Sequence, residues 1–189
     1  MPHEDKVRRA AQASEQGQHL LATGEYVKAL ELFTTAAGIF EQLADIESQA
    51  HLLNNIGLIE AEMAQNDSAR SHFRQALELF QQMGSTLDMA QQWGNLGSTY
   101  RNMENYDEAL NAYFEALSLY ESLDHGLGIG DQYTNIAYIH GRRGQLDEAL
   151  KFYRKALPLY IDSGDTRRIE ATTQNIKSLQ TAIEKDSLK

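Results

Sequence analysis

Asparagine recurs at a regular interval in this sequence, and its side chain is suited to binding a peptide backbone. Residues Asn55, Asn95, Asn135 and Asn175 follow one another at intervals of 40. Asparagine is a mediocre helix former, so its recurrence within helical patterns indicates a purpose. Its amide both donates and accepts hydrogen bonds, so it can pair with both polar groups of an extended peptide. It can equally bond to a neighbouring segment of its own chain and fix the geometry of the fold.

Patterns typical of catalysis or metal binding are absent from the sequence. The six histidines show neither the four-residue spacing of a helical zinc site nor an HExxH motif. There is no cysteine, which excludes thiolate nucleophiles and Cys-ligated zinc. Glu60 and Glu62 would point in different directions on a helix. His140 shares a register position with Tyr100, and we expect it to be packed or hydrogen-bonded. We predict a protein that is not an enzyme and that holds no metal or cofactor.

Three glycines, Gly126, Gly128 and Gly130, alternate with other residues and superficially suggest a phosphate-binding loop. Such a loop needs a preceding strand. It also needs either a Lys-Ser/Thr pair or an acidic residue that supports the site from behind the direct contacts. This segment instead follows a helical pattern. We expect the glycines to loosen or shorten the start of the next helix.

The chain that positions these residues is built from repeats. The stretch NYDEALNAYFEALSLYESL, from Asn105 to Leu123, recurs in altered form 40 residues earlier and 40 residues later. A fixed period of about 20–50 residues is the signature of a repeat array. Apolar residues spaced by three and four form one stripe of a helix, so each unit is expected to be two antiparallel helices, A and B. Residues at equivalent positions of successive repeats form columns of similar side chains. Three such columns are Ala29, Ala69, Ala109 and Ala149; Ala36, Ala76, Ala116 and Ala156; and Phe33, Phe73, Tyr113 and Tyr153.

Small residues occupy one column of helix A: Gly17, Gly57, Gly97 and Ala137. Glycine inside a helix costs about 1 kcal/mol relative to alanine. Its recurrence predicts a close helix crossing at this column.

The pattern resembles the tetratricopeptide repeat. The segment WGNLGSTYRNMENYDEALNAYFEAL, from Trp93 to Leu117, is close to the family consensus, and the resemblance covers roughly residues 10–185. The repeat departs from the usual length of about 34 residues, and the usual proline that ends helix B is missing. The 40-residue unit resembles the subgroup of Pins-type cell-polarity adaptors and kinesin light chains.

The resemblance implies an all-α fold, namely an α-solenoid that forms a right-handed superhelix of four helical hairpins plus a C-terminal capping helix. We expect a single domain, 1–189, with repeats at about 5–44, 45–84, 85–124 and 125–164 and the cap at about 165–185. The family lines its concave groove with the A helices. Carried over to this sequence, the peptide-binding groove comprises Asn54, Asn55, Leu58, Asn95, Ser98, Arg101, Asn102, Asn135, Tyr138, Arg142 and Asn175. The asparagines would hold a peptide backbone, and Arg101 and Arg142 would hold acidic side chains.

Charge and hydropathy narrow the choice of partners. The net charge is −10, and residues 25–124 hold 16 acidic and 4 basic side chains, which argues against nucleic-acid binding. No apolar run approaches the roughly 20 residues that span a bilayer, and no signal core follows the N-terminus. We therefore predict a cytoplasmic, non-catalytic scaffold, monomeric rather than homo-oligomeric. It would bind an extended peptide segment of a partner protein, with an acidic segment as one option. The alternatives are a peptide-sensing regulatory module and a self-assembling structural repeat protein.

Overall fold

The computed structural model describes residues 3–187. Within that range the chain forms nine α-helices and no β-strand. They are α1 His3–Ala22, α2 Tyr26–Leu43, α3 Ile46–Glu62, α4 Asn66–Met83, α5 Thr86–Asn102, α6 Tyr106–Ser122, α7 Gly126–Arg142, α8 Leu146–Ser163 and α9 Thr166–Ser187. The predicted class, an all-α helical repeat of the solenoid type, is confirmed.

The chain divides into two compact units. The first ends at Met103 and holds α1–α5, and the second begins at Glu104 and holds α6–α9. In the first unit, α1 packs on α2, and α3 packs on α4. In the second unit, α7 packs on α8 as well as on α6, and α9 packs on α8. The single domain spanning 1–189 stays a prediction.

The backbone repeats with the sequence at the turns. Positive φ angles occur at Gly24, Ala64, Glu104 and Gly144, which are 40 residues apart. At the starts of α3 and α9, Asp45 and Asp165 accept hydrogen bonds from backbone amides three residues later, at 3.0 Å. Such caps satisfy donors at a helix N-terminus that lack an intrahelical partner. At α3 and α9 the aspartate side chain therefore helps to set where the helix begins.

Close helix crossings explain the column of small residues. A Cβ atom added at Gly17 would lie 2.7 Å from Cε1 of Phe33, and one added at Gly57 would lie 2.7 Å from Cε1 of Phe73. Each ring belongs to helix B of the same hairpin. The predicted close crossing is confirmed in these two hairpins, where any side chain larger than hydrogen would displace the ring.

The alternating glycines do not shorten α7, contrary to the expectation from sequence. The helix begins at Gly126 and has 17 residues, the same length as α3 and α5. A Cβ at Gly128 would lie 2.5 Å from Tyr120, and one at Gly130 would lie 2.8 Å from Tyr160. The glycines therefore let two tyrosines of helices B approach α7.

The final helix, α9, is joined to the second unit by a bidentate ion pair. Arg168 donates from Nε and Nη2 to the carboxylate of Asp131 on α7, at 2.8 and 3.0 Å. Asp131 also accepts a hydrogen bond from the hydroxyl of Tyr160 on α8, at 2.9 Å. Thr172 of α9 is buried. These contacts hold α9 against both helices of the preceding hairpin.

Candidate functional site

Two of the predicted asparagines connect neighbouring A helices in the first unit. The Oδ1 atom of Asn54 on α3 accepts hydrogen bonds from Nε2 of Gln92 and Nδ2 of Asn95 on α5, at 3.0 and 3.1 Å. Its own Nδ2 lies 3.4 Å from Oδ1 of Asn55. At Asn54 and Asn95 the amides therefore bond to the neighbouring hairpin, which is one of the two roles left open by the sequence.

Gln92 is a member of this network that sequence reasoning missed. Its side chain is 1 % exposed, and its Oε1 atom has no hydrogen-bond partner among the described residues. Leu52, Gln132 and Thr172 hold the same register and are also buried. The sequence signal that could have identified Gln92 is a polar residue at the repeat position that Leu52 occupies in the preceding repeat.

Asn55 instead lines a pocket between α1 and α3, here called the first pocket. Its volume is ≈ 410 Å³. Phe40 and Leu52 are buried and give it an apolar floor, while the Asn55 amide is half-buried at its edge. The lining residues are Ala11, Ser14, Glu15, Gln18, Phe40, Ser48, His51, Leu52 and Asn55.

A smaller pocket, here called the His51 pocket, adjoins the first one. It has a volume of ≈ 230 Å³ and shares His51 with the first pocket. The His51 ring packs edge-on against Phe80, with ring centroids 5.1 Å apart. The lining residues are Glu47, His51, Met83, Ser85 and Asp88.

The second unit has its own pocket between α7 and α9, of ≈ 280 Å³, here called the Arg142 pocket. The pKa of Arg142 is raised by a hydrogen bond with Tyr106 and by the nearby Tyr138, so the guanidinium stays charged. Tyr138 is 43 % exposed. The lining residues are Ala137, Tyr138, Gly141, Arg142, Tyr153, Asn175, Ser178 and Leu179.

The remaining predicted groove residues lie outside these pockets. Leu58 is exposed on α3, and Asn102 is exposed at the end of α5. Ser98 and Arg101 of α5 and Asn135 of α7 are half-buried, and each already interacts with other residues of the chain. Binding by any of the predicted groove residues stays a prediction.

Two of the histidines make contacts within the fold. His140 stacks on Phe152 at 5.4 Å and has its Nδ1 atom 2.6 Å from Gln145 Oε1, so it is both packed and hydrogen-bonded, as expected. His72 Nδ1 lies 2.6 Å from the buried Glu60 carboxylate, a pair that the sequence did not reveal.

The described part of the chain shows neither a metal-binding cluster nor a membrane-spanning helix. No group of three His, Cys, Asp or Glu side chains there could hold a metal ion. None of its helices is long and apolar enough to cross a membrane.

Comparisons with solved structures show the same fold. The apo form of RapI is 15% identical, with a TM-score of 0.83 over 96% of this chain and 54% of its own. Aspartyl phosphate phosphatase F from Bacillus subtilis is 16% identical, with a TM-score of 0.87 over 98% of this chain and 49% of its own. MamA is 21% identical, with a TM-score of 0.66 over 82% of this chain and 81% of its own.

The chain therefore spans about half the length of the first two proteins, and at these identities the likeness concerns the fold alone. A search of curated protein sequences finds no match. The 40-residue subgroup suggested by the sequence stays a prediction. The model of the tetratricopeptide repeat family matches residues 9–82 and 88–175. With most of its length covered by that match, the chain belongs to the tetratricopeptide repeat family.

Proposed function

We propose that this protein is a non-catalytic interaction module that binds an extended segment of a partner protein on its A helices. Membership of the tetratricopeptide repeat family supports a protein-interaction module. The observation that carries the finer proposal is the first pocket. There Ser14, Glu15 and Gln18 of α1 and Asn55 of α3 surround an apolar floor in a space of ≈ 410 Å³.

The first pocket suits an extended peptide for a physical reason. An extended segment presents backbone N–H and C=O groups that must find partners when they leave water. The amide of Asn55 offers both a donor and an acceptor, and the neighbouring Ser14 and Gln18 are polar. Phe40 and Leu52 can receive an apolar side chain. A hydrogen bond left unmade in such a site costs about 1–3 kcal/mol.

The Arg142 pocket supports an acidic contact in the second unit. Arg142, Asn175 and Ser178 all carry hydrogen-bond donors around one space. Charge-assisted hydrogen bonds to a carboxylate are roughly twice as strong as neutral ones. We therefore propose that this pocket, by itself, binds an aspartate or glutamate of a partner segment.

The asparagines divide into two groups under this proposal. Asn54 and Asn95 are bonded to each other across two hairpins and hold the helices in place. Asn55 and Asn175 line pockets and contact the ligand.

The two roles of the asparagines can be tested with heptapeptides. These are selected for binding to the wild-type protein from a random phage-displayed library. Asn55→Ala should weaken binding of the selected peptides about tenfold, as expected for loss of one or two hydrogen bonds, with an unchanged melting temperature. Asn54→Ala should lower the melting temperature. Asn111→Ala, on an exposed position of α6, serves as the matched control. Wild-type affinity in Asn55→Ala would contradict the proposal.

We also propose that the protein is a monomer and that it resides in a reducing compartment such as the cytoplasm. The absence of cysteine fits such a compartment. Static light scattering at several protein concentrations distinguishes this state from the self-assembling alternative. A molar mass that rises with concentration would favour self-assembly.

A further inference from the structure

The first unit contains two adjoining depressions that are lined by carboxylates and by His51. The first pocket carries Glu15, and the His51 pocket carries Glu47 and Asp88. Among residues 3–187, no lysine or arginine lines either pocket. His51 belongs to both pockets and connects them along α3.

These carboxylates differ from three acidic residues of the same unit that form ion pairs. Asp5, Glu25 and Asp67 each form an ion pair with a base three residues later, at 2.8, 2.5 and 2.8 Å. Within the described residues, the carboxylates of Glu15 and Glu47 have no hydrogen-bond or ion-pair partner. In residues 3–187 the Asp88 carboxylate accepts a single hydrogen bond, from the hydroxyl of Ser85 at 2.5 Å. Among residues 3–187, the acidic groups of the pockets thus have no lysine or arginine paired with them.

An apolar floor lies beneath the acidic rim. Phe40 and Leu52 are buried in the first pocket, and Met83 is half-buried in the His51 pocket. Lysine and arginine combine an aliphatic stem with a charged head, and they pack the stem on apolar surface while the head stays in a polar environment. An acidic segment would be repelled at this rim, and an apolar one would desolvate carboxylates without pairing them.

We propose that the first unit selects a partner segment that carries lysine or arginine. Its cation would lie at the acidic rim, beside Glu15 in the first pocket or beside Glu47 and Asp88 in the His51 pocket, with its stem on the apolar floor. The inference rests on the proposed function and specifies the chemistry of its ligand. A basic side chain is the expected occupant because its positive charge complements the carboxylates of the two pockets. A depression lined by one sign of charge also attracts opposite charge over a distance, so association is fast at low salt and slows as salt rises.

The test uses heptapeptides selected on the wild-type protein from a random phage-displayed library. Selected peptides should share a lysine or arginine at one position, and replacing that residue by norleucine should weaken binding about tenfold. The triple variant Glu15→Gln, Glu47→Gln, Asp88→Asn should bind the original and the norleucine peptide equally. Its affinity should also depend less on salt concentration.

A matched control removes the same charge from helices α2 and α4. The triple variant Glu31→Gln, Glu41→Gln, Glu78→Gln changes three exposed glutamates that line neither pocket. It should keep the preference for the basic peptide. Melting temperatures of both triple variants set a measuring temperature at which each is fully folded.

The outcomes separate this inference from the proposed function. Peptides that bind, that depend on Asn55 and that show no basic preference would overturn the inference and leave the proposed function standing. An undiminished basic preference in the Glu15, Glu47, Asp88 variant would do the same. If no peptide is enriched, or if Asn55→Ala binds all selected peptides normally, both are overturned.

Discussion

Replacing Asn54 should reveal how much the hydrogen bonds between α3 and α5 contribute to the stability of the fold. Its Oδ1 atom is the acceptor for both Gln92 and Asn95, so Asn54→Ala removes one acceptor and leaves two donors without a partner. The two donors differ in burial, because Gln92 is 1 % exposed whereas Asn95 is half-buried and can turn to water.

The expected magnitude follows from that difference. A buried donor left unsatisfied costs about 1–3 kcal/mol, and loss of an ordinary hydrogen bond costs about 0.5–1.5 kcal/mol. Asn54→Ala should therefore lower the free energy of unfolding by about 2–4 kcal/mol. Gln92→Leu should cost less than about 1 kcal/mol, because Leu52 is buried in the same register and because the change removes an acceptor that has no partner.

Chemical denaturation followed by circular dichroism measures both variants and the double variant. In the Gln92→Leu background, Asn54→Ala should cost about 1 kcal/mol, because no buried donor is left unpaired. Asn55→Ala, on the same helix and at the edge of the first pocket, is the control and should have little effect on stability. Equal losses for Asn54→Ala in the two backgrounds would refute the reasoning.

Three further expectations concern packing and the final helix. Gly57→Ala should lower the melting temperature, because the added Cβ would lie 2.7 Å from the Phe73 ring. The cost of this overpacking, about 1–3 kcal/mol, exceeds the gain in helix propensity. An unchanged melting temperature would contradict the close crossing. Ala109→Leu, at a fully buried position, should cost a similar amount in chemical denaturation. Arg168→Leu should increase amide hydrogen exchange in α9, because the bidentate pair with Asp131 is lost; unchanged protection would show that the pair does not hold the helix.

The period of the sequence predicted the helices because backbone geometry repeats with it. Helices α3, α5 and α7 begin at Ile46, Thr86 and Gly126, which are 40 residues apart. The column of small residues predicted a close crossing, and the rings of Phe33 and Phe73 occupy that space in the first unit. These features depend on spacing and residue size, both of which can be read from sequence.

The side-chain partners could not be read in the same way. Whether Asn54 bonds to a ligand or to Gln92 depends on the distance between two helices and on side-chain rotamers, which the period does not specify. The alternating glycines were misread because their neighbours, Tyr120 and Tyr160, lie on other helices. The pocket between α1 and α3 also includes His51, which the sequence presented as one of six scattered histidines.

The central claim is that partner segments bind on the A helices, and an NMR titration tests it most directly. Backbone amide resonances of the isotope-labelled protein are followed while a library-selected heptapeptide is added. The account predicts shifts around the pockets, at Ser14 and Asn55 in the first unit or at Tyr138 and Asn175 in the second. Shifts confined to the exposed positions of α2 and α4, such as Glu31, would contradict it.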